Sequence, residues 1–329
     1  MRKILIIYGK ESLNFPHILT DSEEMEACAF EISNILRKNN LECFLLGLEK
    51  NLKILGKWIK KEKWLVFNLC EHLDGDYRKE YKVAEFLEKN KIPFTGSPSH
   101  TLKVAQDKRK SKILLKKAKL PVPEYFIFKK EDEKIELPFP FPAIVKPLYQ
   151  DGSAGINEKS VVYDKRELKA QLNFVFENFK EPAIVEPYLN GREFNVSVIG
   201  RNKRVALPIS EIDYSQMPLS IPKILTYNAK WMKNDISYEL TKPICPAKIS
   251  KKLESKLKSV ALAAGKLLGC RDYYRVDFRT DEKGNIYIIE VNPNPDISPD
   301  AGLARALQAK GISYDEFILR LVKWAEQKY

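Results

Sequence analysis

Two runs near the end of the chain, Tyr274-Arg-Val-Asp277-Phe-Arg279 and Ile286-Tyr-Ile-Ile-Glu290-Val-Asn292, are joined by Asp281-Glu-Lys-Gly284 and followed by Pro293-Asn-Pro295. The alternation and the turn between them predict two antiparallel strands. Residues i and i+2 on a strand share a face. Arg275 and Asp277 therefore project together, as do Glu290 and Asn292 on the partner strand. One surface then carries two carboxylates, an amide oxygen and a guanidinium, with no thiol or imidazole. Such hard oxygen donors suit Mg²⁺, which is usually held by one or two carboxylates and completed by substrate phosphates. A solvated hairpin face would account for any one of these residues; the whole set at strand spacing points to a metal and phosphate site.

Working outward, the N-terminal third reads differently. Residues 4–8, 43–48 and 64–69 are short apolar runs, and helical periodicity fills 22–38, 51–62 and 79–90, with Asp21 placed as an N-cap. This β-α-β-α-β order predicts a parallel sheet with helices on its faces, closing near residue 97. A second block, 98–190, opens with a basic helix over 101–119, then strands at 125–128, 143–147 and 183–188 and a helix over 165–177. Residues 129–142 read as a connector. The third block, 191–329, has strands at 193–199 and 204–212 and a long amphipathic helix over 249–268. Residues 213–247 show no period and read as a long functional loop. Ser313-x-x-Glu316 forms a capping box for a last helix.

Composition bounds the reading. The chain has 329 residues, 44% hydrophobic and 30% charged, enough for several cores. No apolar run approaches the ~18 residues of a membrane helix, and the five-residue run after Met1-Arg-Lys3 reads as a strand, not a signal peptide. Five scattered cysteines form no CxxC pair, which speaks for a reducing cytoplasm. The formal net charge of +12 invites a nucleic-acid reading, but no RNP, zinc-finger or basic-arm motif accompanies it.

Two further groups carry chemistry. Lys146 ends Ala143-Ile-Val-Lys146-Pro147, and Gln150-Asp-Gly152-Ser153-Ala-Gly155-Ile follows at once. A lysine beside a glycine-bearing loop can hold phosphates by charge and backbone N–H groups; alone, the segment reads first as a surface turn. Lys108, at the start of a helix, offers a second cation. Ala183-Ile-Val-Glu186-Pro-Tyr188-Leu189 and Gly191-Arg-Glu193 offer an interdomain strand with backbone groups for an adenine edge and two carboxylates for an amino group or ribose hydroxyls. Taken alone, they read equally as a hinge with exposed acids.

In order, Gln106-Asp107-Lys108, Val145-Lys146-Pro147, the 150–156 loop, Glu186-Pro-Tyr-Leu-x-Gly-x-Glu193, Arg275-Val-Asp277 and Glu290-Val-Asn292-Pro resemble the ATP-grasp superfamily. Within it the chain is most similar to the D-alanine–D-alanine ligase family, from Phe67-Asn-Leu-Cys-Glu71 and Ile92-Pro-Phe-Thr-Gly96-Ser97 to near the C-terminus. The resemblance implies an α/β chain of three domains: a Rossmann-like parallel-sheet domain (1–97), a central ATP-grasp domain (98–190) and a C-terminal ATP-grasp domain (191–329). It implies ATP with Mg²⁺, or Mn²⁺ in its place, and a cytoplasmic homodimer without membrane or nucleic-acid partners. Lys108, Lys146 and Lys230 would hold phosphates, with the Gly152–Ser153 turn covering them. Glu186, Tyr188, Leu189 and Glu193 would meet adenine and ribose. Asp277, Glu290 and Asn292 would bind the metal. Arg275 would stabilise negative charge on the reacting carboxylate, and Lys230 and Ser153 would be the other catalytic residues.

The amino-acid half departs from the family. Its Gly-Gly…Ser-x-Glu segment has no clean equivalent in Tyr8-Gly9-Lys10-Glu11-Ser12. Gly152 stands where the covering loop has its first serine, and Trp231 where a tyrosine follows the Ala-Lys pair. Ala301 and Gly302 lie near the place of its Ser-Leu pair. Its His-Gly-x-x-Gly-Glu-Asp-Gly reads Glu71-His72-Leu-Asp74-Gly75-Asp76. The expectation is therefore an ATP-dependent carboxylate–amine ligase working through an acyl phosphate on amino-acid-like substrates. A genuine D-alanine–D-alanine ligase and a non-ligating ATP-binding regulator are the alternatives.

Overall fold

A computed structural model describes residues 2–10, 19–129, 136–232 and 234–327. The described residues build three sheets. The first comes from β1 (Lys3–Gly9), α1 (Leu19–Lys38), β2 (Cys43–Leu48), α2 (Lys53–Ile59), β3 (Trp64–Leu69) and α3 (Glu80–Lys89). Its strand order is β2-β1-β3, all parallel. Both faces of β1 are buried: Ile4 and Ile6 pack towards α1 and the last helix, Leu5 and Ile7 towards α2 and α3. That explains its unbroken apolar run, since a parallel strand is covered on both sides. Residues 92–97 form no full strand; they meet β3 through a parallel bridge, Val66 to Phe94, and through Thr95 Oγ1, which accepts the Asn68 N–H at 2.9 Å. Asp21 falls inside α1, which starts at Leu19, so the expected N-cap is not the first helical boundary. Glu11 and Ser12 lie outside the described residues.

The basic stretch 101–119 is not one helix. It is α4 (Ser99–Gln106) and α5 (Lys108–Lys117), broken at Asp107, which is extended and caps α5 by accepting from the Lys110 N–H. The second sheet follows: β4 (Phe126–Phe128), β5 (Ala143–Pro147), β6 (Val161–Val162), α6 (Lys165–Phe179) and β7 (Ala183–Pro187), in the order β4-β7-β5-β6 and antiparallel throughout. α6 covers one face through Leu168, Leu172 and Val175.

The third sheet holds β8 (Glu193–Ile199), β9 (Val205–Ala206) and β10 (Ser210–Asp213). After α7 (Tyr227–Trp231) and α8 (Ile236–Glu239) come β11 (Lys242–Ile244), α9 (Lys251–Leu268), β12 (Tyr273–Thr280) and β13 (Ile286–Asn292); α10 (Gly302–Lys310) and α11 (Tyr314–Glu326) end the described chain. The expected single strand over 204–212 is two short ones, both paired with β8. The expected structureless loop 213–247 contains α7, α8 and β11. α9 begins after Ser250, whose side chain accepts from the Leu253 N–H, and buries Leu257, Ala261, Ala264 and Leu268 on the sheet. Ser313 caps α11 by accepting from the Glu316 N–H.

The sheets are stitched together by buried polar contacts. Asp272 is fully buried, takes both Arg201 Nε (2.7 Å) and Nη2 (2.9 Å), and accepts the Gly96 N–H at 2.9 Å. Ser97 donates to the Pro293 carbonyl (2.9 Å). Between the second and third sheets the chain crosses at Gly191, whose N–H meets the Thr280 carbonyl at 3.0 Å. A Cβ there would lie 2.1 Å from Thr280 Oγ1, so only glycine allows the crossing. These seams bring the C-terminal ends of the parallel strands, the 150–156 loop and the β12–β13 hairpin around one space.

Candidate active site

That space is a cavity of about 1310 Å³. Every residue the sequence named for chemistry lines it: Lys108, Lys146, Gly152, Ser153, Glu186, Tyr188, Leu189, Glu193, Lys230, Arg275, Asp277, Glu290 and Asn292.

The metal-site set is built as the hairpin predicts. Register pairs Asp277 with Glu290 and Arg275 with Asn292, with a bulge after Asp277. Arg275 holds Asp277 bidentately, Nε to Oδ1 at 2.7 Å and Nη2 to Oδ2 at 2.9 Å, and Asn195 Nδ2 donates to Oδ1 at 2.8 Å. Burial disfavours the Arg275 charge, but Asp277, Asp151 and Glu290 outweigh it and keep the guanidinium protonated. Burial pushes the Glu290 carboxyl up, Asp151 adds to this, and Lys108 Nζ at 3.6 Å opposes it. A divalent cation placed here would relieve that repulsion. Among the described residues no three carboxylates, thiols or imidazoles gather as a complete cage. Two carboxylates and the Asn292 amide oxygen are the donors on offer.

The cations lie beside this set, Lys108 Nζ being 3.6 Å from Glu290. Lys108 Nζ donates to the Gln150 carbonyl, tying α5 to the glycine loop. Lys146 Nζ donates to Glu186 Oε2 at 2.9 Å. The other oxygen of Glu186 meets Lys112 Nζ at 2.6 Å. Burial alone would raise the Glu186 carboxyl; the two ammonium groups outweigh it and hold it at about 2. Lys112 is 2% exposed, so the basic helix turns at least one of its lysines inward. Only the apolar neighbours Ile113, Leu114 and Leu115 signalled that this helix has a buried side.

The loop after β5 turns through left-handed backbone at Gly152 (φ 61°), Ser153 (φ 66°) and Gly155 (φ 78°). A Cβ on Gly155 would lie 2.6 Å from Pro147 Cγ and 2.8 Å from Phe179 Cζ. Glu181 anchors the loop's start, accepting from the Tyr149 N–H and Gln150 Nε2, both at 2.7 Å. Its end meets the 213–235 segment, where the Tyr227 N–H donates to the Ile156 carbonyl at 3.1 Å. Thr226 caps α7 there, and α7 carries Lys230 into the cavity.

Glu193 is less open than the sequence suggested. Its Oε2 accepts from Arg279 Nη1 (2.9 Å) and Tyr214 O–H (2.7 Å). Arg279 is 5% exposed and lies over the rings of Tyr188 and Tyr214, at 5.7 and 5.3 Å. Sequence reasoning assigned roles to neither Arg279 nor Asn195, although both lie at i+2 steps from residues it did assign, on β12 and β8.

Another part of the cavity lining is acidic. Burial, then Asp296 and Glu80, push the Glu71 carboxyl well above the usual range, and Lys230 opposes them. Glu80 is pushed up to about 8, chiefly by burial, although Asn294 Nδ2 donates to it at 2.9 Å.

A parallel three-stranded sheet joined to two antiparallel sheets, with lysines and a carboxylate-bearing hairpin closing on one cavity, defines an ATP-grasp ligase, an enzyme that forms a C–N bond. The family model described as the D-ala D-ala ligase C-terminus matches residues 114–323. The uncharacterized protein y4sG of Sinorhizobium fredii is 30% identical over 265 residues, covering 80% of this chain and 75% of its own. D-alanine–D-alanine ligase B of Chromobacterium violaceum is 29% identical over 318 residues, covering 96% of this chain and 97% of its own. The crystal structure of D-alanine–D-alanine ligase from Bacillus anthracis superimposes with a TM-score of 0.79 at 25% identity, covering 99% of this chain and 98% of that one. The chain belongs to the D-alanine–D-alanine ligase family.

Proposed function

We propose that this enzyme, with Mg²⁺, passes the γ-phosphoryl group of ATP to a substrate carboxylate, giving an acyl phosphate and ADP, and that an amine on an amino-acid-like acceptor then displaces inorganic phosphate to form an amide. The observation that carries this is that one cavity is lined by the lysines, the β12–β13 hairpin and the acidic residues together. Phosphoryl transfer needs positioning and charge neutralisation more than covalent chemistry. Lys108, Lys146 and Lys230 would receive the phosphates under the Gly152–Ser153 turn. Glu186, Tyr188, Leu189 and Glu193 would face adenine and ribose. Asp277, Glu290 and Asn292 would hold Mg²⁺, or Mn²⁺, which would neutralise charge on the transferring phosphoryl group. Arg275 and Ser153 would steady the charge on the reacting carboxylate.

The acidic part of the lining speaks for a substrate that brings an ammonium group. Asp296 and Glu80 oppose the charge on Glu71 there, and Lys230 favours it. D-alanine is the family's own substrate; the departures at Gly152, Trp231, Ala301 and Gly302 favour a different amino acid or peptide on at least one side. Five free cysteines among the described residues and no helix long and apolar enough to cross a membrane accord with a reducing cytoplasm, where we place the enzyme as a homodimer. We place its domain divisions near residues 97 and 190, between the sheets.

The test is ADP release with ATP and Mg²⁺ across D- and L-amino acids, singly and in pairs. Turnover with D-alanine alone identifies a D-alanine–D-alanine ligase. Turnover only with an unlike pair supports the broader reading. Tight ATP binding with no turnover across the panel overturns ligation in favour of a regulator.

A further inference from the structure

Glu186 lies between two lysines, and only one of them faces the cavity. On the cavity side, Lys146 Nζ is 2.9 Å from Oε2; on the far side, Lys112 Nζ is 2.6 Å from Oε1. The three side chains are 13%, 3% and 4% exposed for Lys146, Lys112 and Glu186. Lys112 also reaches the Ile289 carbonyl of β13 at 3.4 Å, so it bridges α5, β7 and the strand that carries Glu290. It does not line the cavity.

Two cations on one buried carboxylate form an unequal arrangement. If Lys146 were the sole counter-ion of Glu186, moving its ammonium onto an incoming phosphate would strand a buried negative charge, which is costly. With Lys112 behind it, Glu186 stays neutralised whichever way Lys146 points. We infer that Lys112 is a positioning residue that keeps Glu186 paired from behind, so that Lys146 is free to pass from Glu186 to the nucleotide's phosphates. The inference rests on the reading that ATP's phosphates lie against Lys146.

The test measures ATP affinity by calorimetry and ATP KM and kcat by ADP release. Lys112→Met is expected to weaken ATP binding and raise ATP KM by about tenfold or more, with kcat largely kept, because Lys146 stays held by Glu186. Lys112→Arg is expected to restore most of the affinity. In the Lys112→Met/Glu186→Gln double variant no carboxylate remains to hold Lys146, so its affinity should match that of Glu186→Gln alone. Lys146→Met is the control on the underlying reading: unchanged ATP affinity in it overturns both the reading and the inference. If Lys146→Met weakens binding while Lys112→Met only lowers Tm and leaves ATP affinity within about twofold of wild type, Lys112 is structural and the inference alone falls. Should Lys112→Met fail to fold, the comparison of Glu186→Gln with the double variant decides: equal affinity supports the inference, and a further loss of about tenfold in the double overturns it.

Discussion

Glu290 is the side chain on which the proposed chemistry leans most. It is one of two carboxylates facing the cavity from the hairpin, and its ionisation is opposed by burial and by Asp151. Glu290→Ala removes half of the carboxylate charge available to a divalent cation. We expect it to abolish ADP release at saturating substrates; unchanged turnover would remove Glu290 from the metal site. Glu80 makes a different prediction. Its folded pKa, about 8, lies above the ordinary 4.5, so the folded state binds a proton more tightly than the unfolded state. Its contribution is full below about pH 4.5 and is lost as pH rises to about 8. Tm should therefore fall across that window, and Glu80→Gln should flatten the fall and raise Tm at pH 8. Thermal melts of the two proteins from pH 5 to 8 check this. At this scale the sequence was informative where chemistry repeats at strand spacing, as with Arg275 and Asp277. It was silent where a partner comes from afar. Nothing near Lys112 in the chain announces Glu186, seventy-four positions on, and nothing near Glu193 announces Tyr214.

Among the elements, strands were read more faithfully than helix ends. β2, β3, β5 and β8 have the bounds the sequence predicted: β3 is buried along its whole length, and β5 alternates buried with half-buried residues, each a pattern that marks a strand. The basic stretch 101–119 was read as one helix because its period barely falters, whereas Asp107 leaves helical geometry to cap α5 and turn Lys108 towards the loop. The 213–247 segment looked structureless because α7, α8 and β11 are too short to show a period. The glycine loop supplies the prediction at this scale. A side chain on Gly155 meets Pro147 and Phe179 and must also adopt positive φ, a strain of about 1–3 kcal/mol before any clash. Gly155→Val should lift the loop from the cavity and raise ATP KM several-fold, with a smaller effect on Tm. ATP titrations of the variant check it.

Over the whole molecule, fold class and the order of the three sheets were legible because each sheet has its own strand pattern. Their mutual placement was not, since Asp272, Arg201 and Gly96 are remote in sequence and meet only in the folded chain. Removing one partner of a buried ion pair typically costs about 3–5 kcal/mol. Asp272→Asn is therefore expected to lower Tm strongly and to reduce turnover, because the first sheet would lose its fixed position beside the hairpin. Ligand linkage tests the cavity as a unit. At a hundredfold excess over Kd, ATP with Mg²⁺ should stabilise the fold by about 2.7 kcal/mol, a rise in Tm that Glu290→Ala should largely abolish.

The hydrogen bond from Tyr227 to Ile156 has a kinetic meaning. It ties the loop proposed to cover the nucleotide to the segment that carries Lys230, so the two would open together. ADP, phosphate and the new amide would then share one exit event, and steady-state turnover would be paced by that opening rather than by bond formation. Such an enzyme slows in proportion to solvent viscosity and shows a burst of product in its first turnover.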